Sequence, residues 1–216
     1  MKITKLEIHT SHFEETTLFY RETLGFPLLA TSATEATFQC GETALTIKRS
    51  TSDYYYHFAF NIPPNLFLKA KEWTKKRVVL LRERGQDDVH FTDDMAKAIY
   101  FEDPAGNIVE FIARKETTPN ASEEKFTIGH ISGISEIGLS SNQLKEDANQ
   151  LLSMGIPVRN DEVIHYSSYL TFFGEYTDGV YIILAPVGRR WLFSTKEAIA
   201  CPILIETDRG TITRKE

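Results

Sequence analysis

The chain has 216 residues, 42% hydrophobic and 25% charged, with a formal net charge of −6. This is enough apolar material for one large domain or two small ones, and the acidic balance argues against a surface that tracks nucleic-acid phosphates. No apolar run is long enough to span a bilayer as a helix, which argues against a membrane partner.

The alternating pattern of the N-terminus reads as a strand over Ile3–Ile8, not as a signal peptide. Ser11 and Glu14 have capping-box spacing, and Thr16, Phe19, Tyr20, Thr23 and Leu24 follow helical spacing up to a stop at Gly25. Strands are expected near Pro27–Thr31, Ala36–Cys40 and Ala44–Lys48. A second segment opens with a strand over Tyr54–Ile62. Pro63-Pro64-Asn65 breaks it and starts a helix carrying Leu66, Ala70 and Trp73, and Val78–Leu81 is the next expected strand. The polar stretch Arg82–Asp94 is long for a plain loop. Asp103-Pro104-Ala105-Gly106-Asn107 then turns a hairpin between Ala98–Phe101 and Ile108–Ile112. Lys115–Lys125 is polar and reads as a linker. A third segment repeats the opening: a strand over Ile134–Leu139, a helix over Asn142–Met154, strands near Tyr169–Phe173 and Val180–Leu184, and a last apolar run over Ile199–Ile205. Cys40 and Cys201 form no motif, which fits a reducing, cytoplasmic setting.

The hairpin poses a chemical question. Ile108, Glu110 and Ile112 share one strand face, and Val109, Phe111 and Ala113 share the other. Both faces read as buried, so Glu110 needs a cation, a metal or a set of hydrogen-bond donors.

Three stretches carry a family resemblance. "LFYRETLGF" (Leu18–Phe26), "HFAFNIPP" (from His57) and "FEDPAGNIVEFIAR" (to Arg114) resemble the glyoxalase/bleomycin resistance/extradiol dioxygenase (vicinal oxygen chelate) superfamily. The resemblance implies an α+β fold in which paired βαβββ modules form a cup-shaped mixed sheet. On this reading residues 1–115 are a complete two-module domain, 116–125 a linker, and 126–216 a third, degenerate βαβββ-like module with an extra C-terminal strand. A lone module leaves an open edge, so the third is expected to pack on the first domain or on its copy in a homodimer.

The resemblance also implies a divalent metal (Zn, Mn or Fe(II)) in the cup. His57 occupies the second module's histidine position and Glu110 its glutamate position. In the first module Lys5 stands at the histidine position and the last strand offers no carboxylate; Glu7 and His9 share strand parity with Lys5 and are candidate completing ligands. The alternative is a metal-free site in which Lys5 pairs with Glu110. In the third module Glu136 stands at the histidine position but Ile183 at the glutamate position, so no separate metal site is expected there. Lys5, Tyr55, His90 and Tyr100 are candidate substrate-binding residues, and Gly188-Arg189-Arg190-Trp191 is a candidate anion clamp. Two functions are compatible with these residues. One is a metal-dependent lyase, isomerase or ring-cleaving dioxygenase acting on a small molecule with vicinal oxygens. The other is a metal-free small-molecule binder of the bleomycin-resistance type.

Overall fold

The computed structural model describes residues 1–215; the last residue of the expected third module, Glu216, lies outside the described residues. The first segment runs β1 (Ile3–Thr10), α1 (Phe13–Leu18) continued by a π turn over Phe19–Leu24, β2 (Leu28–Thr31), β3 (Glu35–Cys40) and β4 (Thr43–Arg49). Gly25 ends the helical stretch at φ 82°, a left-handed conformation that glycine adopts without strain. The expected capping box does not form: the Ser11 hydroxyl donates to Asp53, and Glu14 pairs with Arg49. Tertiary partners claim both side chains, and His12 occupies the N-cap without a side-chain bond.

The second segment holds β5 (His57–Asn61), α2 (Phe67–Lys75), β6 (Val89–Phe91), β7 (Ala96–Glu102) and β8 (Ile108–Arg114). Val78–Leu81 is not a strand; only Leu80 bridges, to Phe101. The sheet edge is instead taken by β6, out of the stretch expected to be loop. The third segment holds β9 (Gly133–Ser141), α3 (Leu144–Ser153), β10 (Thr171–Phe173) and β11 (Tyr181–Pro186), followed by a hairpin of β12 (Ile203–Thr207) and β13 (Gly210–Arg214). None of the helices among the described residues is long and apolar enough to cross a membrane.

Two mixed sheets result. One has the order β13-β12-β1-β4-β3-β2, the other β10-β11-β9-β5-β8-β7-β6. The first segment therefore does not share a sheet with the second. β5 pairs antiparallel with β9, and β1 pairs antiparallel with β12. The third segment does pack on the preceding residues, by completing the sheet of the second. Lys115–Lys125 is tied down between them: Asn65 and Ala121 exchange two hydrogen bonds, and the Tyr176 hydroxyl donates to Glu116.

Strand alternation sorts the side chains. Phe58, Phe60, Val109, Phe111, Ile137, Leu139, Ile182 and Leu184 point into the main core with the helices. Ala59, Ala98, Tyr100, Ile108, Ile112 and Ala185 line the opposite, concave face, which is covered by Trp191 and Phe193. Burial of the core face is the main driving force for folding. The concave face is where the sequence departs from apolar residues.

Candidate metal centre

The turn before β8 fixes the strand that carries Glu110. Asp103 accepts hydrogen bonds from the backbone N–H groups of Ala105 and Asn107 (both 3.0 Å), from the Asn107 side chain (2.7 Å) and from the Tyr20 hydroxyl (2.9 Å). Burial still raises its carboxyl to about 6. Asn107 in turn accepts from the Tyr56 N–H (2.8 Å) and so joins the start of β5 to the start of β8. The parallel register that follows places His57 opposite Ile108 and Ala59 opposite Glu110. In β9 and β11, Glu136 lies opposite Tyr181 and Gly138 opposite Ile183. Thus His57 and Glu136 occupy matching first-strand positions of two modules. Their last-strand counterparts are Glu110 and Ile183.

Because β5 and β9 are neighbours, these positions converge. One ligand-type atom each from His57, Glu110 and Glu136 falls within 4.8 Å of the others, and all three residues are buried. His57 Nδ1 lies 3.0 Å from the Ile108 carbonyl oxygen. A carbonyl only accepts, so Nδ1 carries the hydrogen and Nε2 presents a lone pair. Burial lowers the His57 pKa to about 4, which keeps the ring neutral. That lone pair faces Glu110 Oε2 at 3.6 Å, and Glu110 Oε1 has no hydrogen-bond partner. Burial pushes the Glu110 carboxyl well above its ordinary range, and the neighbouring Glu136 adds to the rise. Tyr100 lies opposite Glu110 in the antiparallel register of β7 and β8. Glu136 is also raised by burial, but the Arg114 guanidinium is bonded to it and pulls the other way.

Two acceptors facing each other in a buried site, with a second carboxylate alongside, lack a cation or a proton. The donor set suits a borderline divalent ion. The bond from His57 Nδ1 to a backbone carbonyl is also the support expected of a metal-ligating histidine. The cavity above the three residues has a volume of about 320 Å³ and is walled by Phe91, Phe172, Leu170, Arg159, Arg189 and Trp191. Trp191 packs on His57 with 4.8 Å between ring centroids. The indole fits because β9 has glycine beneath it: a Cβ at Gly138 would come within 2.7 Å of the Trp191 ring.

The other expected site residues lie elsewhere. Lys5, Glu7 and His9 are on β1 in the six-stranded sheet. There Glu7 pairs with Lys48 (3.0 Å), Lys5 (3.6 Å) and His9 (3.5 Å). Lys5 is therefore not the partner of Glu110, and Glu7 and His9 do not complete the cluster. They would reach it only if the first and second segments shared a sheet, and β1 lies in the other one. Tyr55 donates its hydroxyl to the Glu197 carbonyl (2.8 Å) behind the Trp191 loop. His90 is exposed on β6. Tyr100 alone of the expected substrate-binding residues lines the cavity. Glu136 was legible by its histidine-like position, but only the β5–β9 pairing puts it beside Glu110. Nothing in the local sequence marks Arg114 or Arg159 as cavity residues.

A family model described as toxoflavin-degrading enzyme matches residues 134–189. No curated protein matches the chain. Among solved structures, a candidate dioxygenase from Bacillus subtilis superposes with a TM-score of 0.60 at 19% identity, covering 86% of this chain and 63% of that one. Glyoxalase I from Zea mays gives a TM-score of 0.57 at 16% identity, covering 85% and 66%. The match therefore spans just under two thirds of each of those chains, and at these identities it speaks to the fold. A second family model, described as Glyoxalase/Bleomycin resistance protein/Dioxygenase superfamily, matches residues 2–111, just over half the chain. With the module registers and the cup that those residues help to build, the chain belongs to the glyoxalase/bleomycin resistance protein/dioxygenase superfamily.

Proposed function

We propose that this protein is a divalent-metal-dependent enzyme acting on a small molecule with two neighbouring oxygens, by lyase, isomerase or ring-cleaving dioxygenase chemistry. His57, Glu110 and Glu136 would hold the ion, which is Zn, Mn or Fe(II) by ligand type. The reading rests on one observation above all: the His57 Nε2 lone pair and the Glu110 carboxylate face each other, buried, with a carboxylate oxygen left unpartnered. When bound, such an ion acts as a Lewis acid on vicinal substrate oxygens. The chain's own groups prepare the site. The Ile108 carbonyl holds the His57 tautomer and Arg114 holds Glu136. Trp191 and Phe193 exclude water from the floor. The match of residues 134–189, which include Glu136 and Ile183, to a toxoflavin-degrading enzyme model favours an enzyme.

The site draws on both sides of 116–125, so the proposed units 1–115 and 126–216 are sequence segments that meet in one cup. We place no ligand at Ile183; the open positions are left for substrate and water. The second reading is a metal-free binding protein of the bleomycin-resistance type, and the existing Arg114–Glu136 ion pair favours it. A homodimer remains part of the proposal, because β2, β6, β10 and β13 are sheet edges.

Metal analysis by mass spectrometry separates the two. After chelation and reloading, near-stoichiometric metal is expected in the wild type and none in His57→Ala or Glu110→Ala. No metal under any loading would leave the binding-protein reading.

A further inference from the structure

The loop Gly188–Trp191 holds two arginines with different fates. Arg190 reaches Glu83 (3.0 Å) and the Ser194 carbonyl (2.7 Å), away from the cup. Arg189 lines the cavity with His57, Trp191 and Phe172. It is half-buried, its guanidinium donates to the Arg190 carbonyl oxygen (3.0 Å), and among the described residues it meets no carboxylate. The other arginines shielded from solvent all do: Arg114 meets Glu136, Arg159 meets Asp94 and Glu162, Arg209 meets Glu175 and Arg214 meets Asp147. A guanidinium stays charged at every physiological pH and has five donors to satisfy. Placing it partly out of water without a counter-ion is unfavourable unless something else supplies the anion.

The walls narrow the choice of anion. Trp191 and Phe172 offer aromatic faces, and Arg159, already neutralised, lies over the Phe172 ring at 4.2 Å. A volume of about 320 Å³ is at the low end for ligand pockets and suits one substituted ring. Arg114 is committed to Glu136, so it is not available to a ligand.

We propose that Arg189 is the specificity residue of this cup, and that the substrate is a small aromatic molecule carrying a carboxylate that Arg189 receives while its vicinal oxygens face His57, Glu110 and Glu136. This rests on the enzyme reading above for the second half of the pose only.

The test compares three probes, protocatechuate, its methyl ester and catechol, titrated into the full-length protein by calorimetry. The wild type is expected to bind protocatechuate about tenfold or more tighter than the ester, as a charged fork-to-carboxylate contact predicts. Arg189→Gln levels the two, Arg189→Lys keeps part of the preference, and Arg190→Gln keeps all of it. Equal affinities in the wild type, an undiminished preference in Arg189→Gln, or no binding of any probe would overturn the proposal. Metal content is read on the same samples. A charge preference without metal removes the enzyme reading and keeps Arg189; metal without a charge preference does the reverse.

Discussion

Each of the two sheets carries a buried glutamate in its central strands, and the two are treated oppositely. Glu7 on β1 is surrounded by Lys48, Lys5 and His9, so its charge is neutralised by the chain itself. Glu110 on β8 faces a neutral histidine and a second carboxylate, and one of its oxygens has no partner. The registers make the contrast sharper. Lys5 lies opposite Ala44, and two residues on is Thr46; His57 lies opposite Ile108, and two residues on is Glu110. Where the second segment carries a histidine and a glutamate, the first carries a lysine and a threonine. The chain satisfies a carboxylate in one sheet and leaves it short of partners in the other, which supports the proposed metal site.

The largest effect expected from breaking this contrast is at Arg114. It is the cation that accompanies Glu136, and both are buried. Arg114→Met leaves two adjacent carboxylates without it and should destabilise the chelated protein by about 3–5 kcal/mol. Chemical denaturation checks this, and adding Zn should recover part of the loss.

Glu110→Gln should act in the opposite direction on stability. It removes the unpaired acid, so the chelated variant is expected to be more stable than the chelated wild type by about 1–3 kcal/mol at pH 8 while binding no metal. The pH dependence follows with a definite sign. Folding lowers the His57 pKa to about 4, so the unfolded chain binds more protons between about 4 and 6.5, and His57 makes stability rise with pH there. Folding raises the Glu110 pKa, so the folded chain holds a proton that the unfolded chain has lost, and Glu110 makes stability fall as pH rises past its ordinary value. The two oppose each other up to about pH 6.5. Thermal unfolding should show the chelated wild type losing stability relative to Glu110→Gln as pH rises past the ordinary carboxylate range.

The smallest effect belongs to the other sheet. Glu7→Gln breaks ion pairs whose lysines are about a third exposed, and should cost about 1 kcal/mol or less without changing metal content. A loss of metal in Glu7→Gln would show that the two sheets are not independent.

β1 is legible from alternation, whereas β5 and β8, buried on both faces, are legible as short apolar runs bounded by turn residues. Val78–Leu81 reads as a strand because a short apolar run carries no period, and β6 and β13 leave little trace in the sequence because short edge strands need little apolar content. His57 and Glu110 stood out because a polar residue in an otherwise apolar strand must be accounted for. Tyr100 comes opposite Glu110 only through the antiparallel register of β7 and β8.

What the sequence determined by itself was therefore local: the elements, the faces of each strand and the identity of two unusual polar positions. Tertiary structure decided which strands became neighbours. Sheet pairing joins β5 to β9 and β1 to β12, and nothing in a single strand's pattern specifies its partner, because every first strand here presents the same kind of edge. That pairing moved Glu136 to the side of Glu110, sent Lys5 to the other sheet, and brought Arg114, Arg159 and Arg189 round one cavity. Contacts between residues so distant in sequence arise only when two edges close a common core, and the chemistry of the cup depends on that closure.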